Sequence, residues 1–405
     1  MNNRQRFDAA MHYQPRDRSP LQNFSFWAET LTEWRKQDLP EWVTLGNHTD
    51  FFGDDGGFEK FSIARSSSTG NAKPSDKGWV CAADLTIGWE PRFEEVVIED
   101  RGEHELVQQA DGVRVLRRKY MSSIPLHDSH LLVDRASWEK HYRPRFDPST
   151  ASRYPEDWKP YTTFWCDQGR DCPMFLPGGS LYGWIRNLMG LEAVSYVVHD
   201  DPAWFEEMVT TIADCIIGVL ERVLACGARF EGCGIWEDMC FNGGPLLSPA
   251  HFKRFLVPHY ERITSLLHKH GCDVIWVDCD GCIDELIPLW MDAGVNCMMP
   301  IEIGTWGADP VRYRREYGKD LLMMGGFDKH ILADSTRAIE AEVDRLTPLI
   351  EEGGFIAYCD HRVPPDVSLE HYLFYTQKTR ERWGGGVNLN PMADEAIALC
   401  GVHAR

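Results

Sequence analysis

From residue 172 onward, short apolar runs alternate with longer stretches of helical periodicity. CGIW ends at Trp236 and meets Glu237 and Asp238, after which Ser248-Pro249 offers an N-cap and a proline for the first helical turn. DVIWV leads to Asp278 and Asp280, then to a helix predicted to stop near Gly294. VNCMMP leads to Glu302, and Asp309-Pro310 opens a short helix ending by Gly318. LLMMGG leads to Asp328 and Lys329 with a helix running to Gly353, and GFIAY leads to Cys359, Asp360 and His361, with Ser368 capping the last long helix. An earlier unit, PMFLPGGSLYG, precedes a helix over 202–226 that Asp201-Pro202 starts. The N-terminal part reads differently. A short strand around Leu21 to Phe24 precedes helical spacing over 24–38, and 51–77 is rich in Gly, Ser and Asp and is expected to be a flexible loop. Residues 94–120 alternate apolar and polar, broken at Arg101-Gly102 and Asp111-Gly112, which predicts a β-hairpin or meander.

Strands alternating with helices imply right-handed βα units and a parallel sheet. Both an open doubly wound sheet and a closed barrel satisfy that pattern. No Gly-x-Gly-x-x-Gly segment follows any of these strands, so an open dinucleotide-binding sheet has no support. Five successive strands carry acids or His at their C-terminal ends, and a barrel brings such ends to one mouth. The expectation is therefore an α/β chain forming a (β/α)8 TIM barrel over 1–405, a single domain with an N-terminal elaboration that contains the hairpin or meander. Six strands fall after residue 172, so two more must come before it.

Charge narrows the partners. A formal charge of −20 argues against nucleic acid or an anionic membrane as partner, since both need a positive face. Thirteen cysteines are an odd number without a visible framework. The opening MNNRQRFDAAMHYQ has no apolar leader, and no run approaches the ~20 residues of a membrane span. Reduced thiols and a cytoplasmic setting are expected. Fifteen tryptophans would suit a flat or apolar ligand, although most large aromatics fill cores.

An acid after a strand commonly caps the next helix, a role open to Asp280 and to Asp328. Capping does not account for Asp278 beside Asp280, nor for Glu237 beside Asp238, because one helix needs one cap. Crowded carboxylates persist where a cation, a proton or a donor lies between them. If extended geometry continues past Val277, Asp278 and Asp280 share a side and Cys279 opposes them; likewise Cys359 and His361 share a side and Asp360 opposes them. Asp278, Asp280 and His361, with Cys359 as a fourth ligand, form one reading as a divalent metal site; an ion-free acid/base cluster is the other. Glu237, Asp238 and Glu302 are candidate general acids, and Asp328 and Lys329 candidate substrate-orienting groups. Cys279-x-x-Cys282 is a weak dithiol signal, and His268 and His270 suit a helix C-terminus.

Several segments in order resemble the uroporphyrinogen decarboxylase superfamily: Arg16-Asp17-Arg18 with Pro20, Ile287-Pro288, Tyr317-Gly318-Lys319, Gly325-Gly326 with Asp328-Lys329, Glu352-Gly353-Gly354, and Val363-Pro364-Pro365. The resemblance is best over 172–383 and poorest over 50–125. It implies a (β/α)8 barrel with the site at its mouth. The Arg-Gln-Ala-Gly-Arg-Tyr segment of true uroporphyrinogen decarboxylases is absent, the comparable stretch reading Ser19-Pro20-Leu21-Gln22-Asn23-Phe24. The superfamily's corrinoid and coenzyme methyltransferases hold zinc with His-x-Cys and a distant Cys; the matching positions here look like Asp278, Asp280 and His361, without the thiolates. The resemblance thus points to the methyltransferase-like branch, acting on a small-molecule substrate with a corrinoid protein or a folate-type methyl carrier. It makes zinc the first candidate among divalent metals and leaves monomer and homodimer open. A decarboxylase and a non-catalytic binding barrel are the alternatives.

Overall fold

The computed structural model describes residues 1–57, 80–81, 86–119 and 124–386. Strand β1 (Gln22–Asn23) pairs in parallel with β2 (Gly56–Gly57). A seven-stranded parallel ladder then runs β3 (Val80–Cys81), β8 (Met174–Pro177), β9 (Gly232–Trp236), β12 (Ile275–Asp278), β13 (Cys297–Ile301), β14 (Leu322–Phe327) and β15 (Phe355–Cys359). Just past β15, a parallel bridge joins Val363 to Phe26, next to β1, and Val363 N donates to the Ser25 carbonyl at 3.1 Å. The ladder therefore curves round to meet β1, which makes the eighth stave of a (β/α)8 barrel. The two strands required before residue 172 are β1 and β3.

Between them and β8 lies a separate antiparallel sheet in simple order: β4 (Val96–Arg101), β5 (His104–Gln108), β6 (Arg114–Arg118) and β7 (Leu126–Ser129). Its apolar face is small, with Val107, Val113 and Val115 forming a satellite core. A two-strand hairpin, β10 (Cys240–Phe241) with β11 (Gly244–Pro245), projects from the loop after β9. The expected flexible loop over 51–77 falls largely outside the described residues; Phe51 and Phe52 end a helix, and Gly56–Gly57 form β2.

The barrel interior is filled by side chains rather than left as a pore. Phe175 of β8 meets Trp276 of β12 edge-on at 5.2 Å. Phe7, from the helix Asn3–Met11, meets Phe175 at 4.9 Å. That helix lies across the N-terminal ends of the strands, with Arg4 N donating to the Asp171 carbonyl and Gly354 N to that of Ala10. Below the strands, Glu231 accepts from Arg170 at 2.8 Å, from Arg4 at 2.7 Å and from Met174 N at 2.7 Å, so this buried carboxylate is matched by donors. Most of the tryptophans, among them Trp34, Trp138, Trp165, Trp184 and Trp290, are core residues.

Capping explains the helix starts that the sequence marks. Asp201, Ser248, Asp309 and Ser368 each accept from a backbone N–H in the first turn, as their positions before Pro202, Pro249, Pro310 and Leu369 predict. Two helices after residue 172 are shorter than their periodicity, as is Ala28–Arg35 within the expected 24–38. Only Ile287–Asp292 is helical after β12, and after β14 a 3-10 turn, Lys329–Ala333, precedes a separate helix Thr336–Glu352 capped by Ser335. Among the described residues no helix is long and apolar enough to cross a membrane.

Candidate functional site at the barrel mouth

Parallel pairing sets the site. Asp278 ends β12 opposite Trp236 of β9, and its carbonyl accepts from Glu237 N at 2.9 Å and Asp238 N at 3.3 Å. The two acidic pairs are thus held side by side by backbone hydrogen bonds. Asp238 takes a left-handed backbone, φ 45°, which directs its carboxylate toward β12. Carboxylate oxygens of Asp238, Asp278 and Asp280 all lie within 4.8 Å of one another. Gly281, at φ 94°, turns the chain sharply after Asp280; a Cβ there would sit 2.7 Å from the Cys240 backbone, so only glycine fits.

The centre of this group, Asp278, is electrostatically uncompensated. Asp278 is 7% exposed, and its carboxylate has no hydrogen-bond or ion-pair partner among the described residues. Burial, with Asp238 and Asp280 adding repulsion, pushes its pKa well above the usual carboxylate range. Burial, then Asp280, raises Asp238 to about 6. One oxygen of Asp280, Oδ1, is buried without a partner, and the other lies 3.5 Å from His361 Nε2. The His361 ring is stacked on Phe24 at 4.9 Å, which fixes its plane beside the acids. As strand alternation predicts, Asp278 and Asp280 face the cavity while Cys279 turns into the core, where its sulfur accepts from Met239 N at 3.3 Å.

The other expected site residues take different places. Glu237 is fully buried and accepts from Ser180 Oγ, from the N–H groups of Leu181, Tyr182 and Gly183, and from Tyr260 Oη at 2.5 Å. Burial pushes its pKa up against the pull of those donors. With five donors already on it, the carboxylate anchors the helix Tyr182–Met189 and is not free to serve as a general acid. Asp328 caps the 3-10 turn, accepting from His330 N and lying 2.9 Å from its Nδ1, so its role is the capping one. Cys359 points away from the acids to Tyr375 of the last helix, and burial raises its thiol pKa; it joins no ligand group. Strand alternation ends at that residue. Asp360, fully buried, instead accepts from Ile303 N, Gly304 N and Lys329 N, stitching together the loops after β13 and β14.

Glu302 and Lys329 do meet at the mouth. Lys329 Nζ lies 3.2 Å from Glu302 and 3.7 Å from Asp360, while Trp306 Nε1 also donates to Glu302. Burial disfavours the ammonium, but Asp360, Glu302 and Asp280 outweigh it and leave the lysine pKa raised. Two contributors had no signal in local sequence: Arg186, whose Nη1 donates to the Asp238 carbonyl, and Phe24, which stacks on His361. Both come from segments far from residues 278 and 361, and only the closed barrel brings them together.

The donor set suits a divalent cation. Three carboxylates within 4.8 Å of one another are hard, oxygen-rich ligands, and Asp280 Oδ1 is a buried acceptor without a donor among the described residues. It is unlike a thiolate zinc site, since Cys279 and Cys359 face elsewhere.

Residues 185–382 match the family described as "Uroporphyrinogen decarboxylase (URO-D)". Curated relatives include the uroporphyrinogen decarboxylases of Syntrophotalea carbinolica, 24% identical over 45% of this chain and 50% of the relative, and of Nocardia farcinica, 23% identical over 43% and 48%. The chain thus spans about half the length of the curated relatives it matches. Among solved structures, a methyltransferase from Methanosarcina mazei superposes with a TM-score of 0.51 at 14% identity, covering 94% of this chain and 99% of that one. At that identity the likeness establishes the fold. The barrel, the matched segment and the curated relatives agree: in its C-terminal half this chain resembles the uroporphyrinogen decarboxylase superfamily.

Proposed function

We propose that the protein is a metal-assisted methyltransferase that takes a methyl group from an oxygen of a small substrate and passes it to a corrinoid protein or a folate-type carrier. The observation that carries this reading is Asp278, a buried carboxylate with two more beside it and no donor among the described residues. Such a group is stable only with a cation or protons in its midst. Asp238, Asp278 and Asp280 would hold the cation, with His361 as a further ligand. When bound, it would act as a Lewis acid on the substrate oxygen. In the transfer, the C–O bond breaks, its electron pair stays with oxygen, and the carrier supplies the pair for the new bond to carbon. The oxygen then takes a proton from water at the open mouth. Lys329, kept as an ammonium by Glu302 and Asp360, adds positive potential where that charge develops. Phe24 and Trp27, both packed against His361, would shield the reacting group from bulk water.

The relatives' names make decarboxylation the second reading. A mouth lined by Asp238, Asp278, Asp280 and Glu302 repels a substrate bearing many carboxylates, which places it second. One experiment separates the two. The protein is incubated anaerobically with Mn²⁺ or Zn²⁺, aryl methyl ethers and free cob(I)alamin as acceptor, and separately with uroporphyrinogen. Methyl transfer that Asp278→Ala abolishes supports the proposal. Loss of carboxyl groups from uroporphyrinogen, with no transfer from any ether, overturns it.

A further inference from the structure

Against Arg186, which holds the Asp238 carbonyl, lies a cavity of ≈ 380 Å³. It opens between the helix Tyr182–Met189, strand β7 and the β10–β11 hairpin. Its polar wall is His127, Arg186 and Asn187; its apolar wall includes Leu191, Phe241 and Leu246. A volume of that order is at the small end for ligand sites and matches one ring with short substituents.

Arg186 is the central group. Its Nη1 donates to the Asp238 carbonyl, and Nε and Nη2 donate to Asn187 Oδ1 at 3.3 and 3.1 Å. A guanidinium has five N–H donors, so one on each Nη remains, the paired arrangement that a carboxylate accepts. Its charge pulls on the Asp238 carboxylate, yet among the described residues it forms no ion pair, in a chain whose formal charge is −20. Its face lies 5.5 Å from the Trp236 ring, which holds the plane in position. His127 stands on the same wall, with Nδ1 spent on His130 Nε2 at 3.1 Å. On the opposite wall, Phe241 is 63% and Leu191 47% exposed, large apolar surface at a cavity rim rather than in the core.

We infer that this cavity is the recognition subsite for a carboxylate on the substrate, with Arg186 and His127 receiving the carboxylate, Phe241 and Leu246 covering an apolar body, and the reacting oxygen at the other end beside Asp238. The substrate class is therefore a monocarboxylic acid whose oxygen substituent lies across an apolar ring or chain. The inference rests on the methyl-transfer reading only for the oxygen end; the acid end stands on the cavity itself. A simpler role for Arg186, bracing the Asp238 carbonyl, accounts for one of its donors and leaves the paired Nη hydrogens and the apolar wall without a purpose. Burial, with Arg186 adding repulsion, lowers His127 below the usual imidazole range, and burial lowers His130 as well. At neutral pH the wall then carries the single positive charge of Arg186, which suits a singly charged carboxylate better than a phosphate dianion.

The test is calorimetric binding at pH 7.5 in chelator-treated protein without any methyl acceptor, so it does not depend on turnover. The probes are 4-methoxybenzoate, its neutral isostere 4-methoxybenzamide, and inorganic phosphate. The expected result is that the acid binds at least tenfold more tightly than the amide and that phosphate does not compete. Arg186→Gln should weaken the acid tenfold or more and leave the amide unchanged. Because that variant touches Asp238, Phe241→Asp provides a second arm: it alters an exposed wall residue and should also cost the acid tenfold. Equal affinity for acid and amide, no effect of either variant, or tighter competition by phosphate would each overturn the inference. If binding behaves as expected while no ether is demethylated, the subsite stands and the methyl-transfer reading falls. If neutral ethers turn over as fast as acidic ones, the reverse holds.

Discussion

Asp238 combines an unusual backbone with an unusual proton affinity. At φ 45° it occupies the region that asparagine tolerates best among side chains bearing a Cβ, so Asp238→Asn keeps the turn and the carbonyl that Arg186 holds. Its native pKa of about 6 lies above the unfolded value near 3.8. The native state therefore binds more protons, and this residue's contribution to stability falls as pH rises through the window between those values. In chelator-treated protein, Asp238→Asn should stabilise by about 2–3 kcal/mol at pH 8 and by almost nothing at pH 3, as two pKa units correspond to roughly that energy. Urea titrations at the two pH values check it; an equal effect at both would remove the repulsion argument. At this scale the acids on β12 were legible in sequence, because extended geometry fixes that Asp278 and Asp280 share a face. Glu237 was not, since its five donors come from residues 180–183 and from Tyr260, none of them near it in the chain.

At the level of elements, the mouth is held by acids that bind other loops rather than substrate. Asp360 accepts three backbone N–H groups from two loops, and Lys329 sits between it and Glu302. Lys329 and Glu302 are 13% and 9% exposed in their side chains, and Asp360 is 0%. Lys329→Met should lower stability by about 3–5 kcal/mol, the cost of leaving buried carboxylates without their cation. A denaturant midpoint shifted by much less would show that the lysine serves substrate alone. The strands after residue 172 were legible as apolar runs because parallel barrel strands are buried on both faces. The first staves were harder to place, since β1 and β3 have two residues each and little pattern to read. The two overlong helices reflect amphipathic spacing that continues through turns: after β14 the 3-10 segment keeps Ile331 and Leu332 facing inward, so periodicity alone does not register the break at Ser335. The expected pairing of Cys359 with His361 failed for a related reason. Alternation holds only while the ladder does, and β15 ends at Cys359.

For the molecule as a whole, the two ends of the barrel differ in how they treat buried charge. At the N-terminal end, Glu231 is fully matched by Arg170, Arg4 and Met174 N, the arrangement of a group kept for stability. At the C-terminal end, Asp278 has no matching donor among the described residues, which costs stability unless something is bound there. A cation taken up at that end would remove the cost. The direct measurement is metal content, by elemental analysis and by calorimetric titration with Mn²⁺ and Zn²⁺, of the wild type, Asp278→Ala and Glu231→Gln purified without chelator. Binding of about one ion per chain is expected for the wild type, with the folded state stabilised by mass action. Glu231→Gln should unfold more easily yet bind the same amount, whereas Asp278→Ala should lose the ion. Equal metal content in wild type and Asp278→Ala, or none in either across pH 6 to 8, would contradict the account.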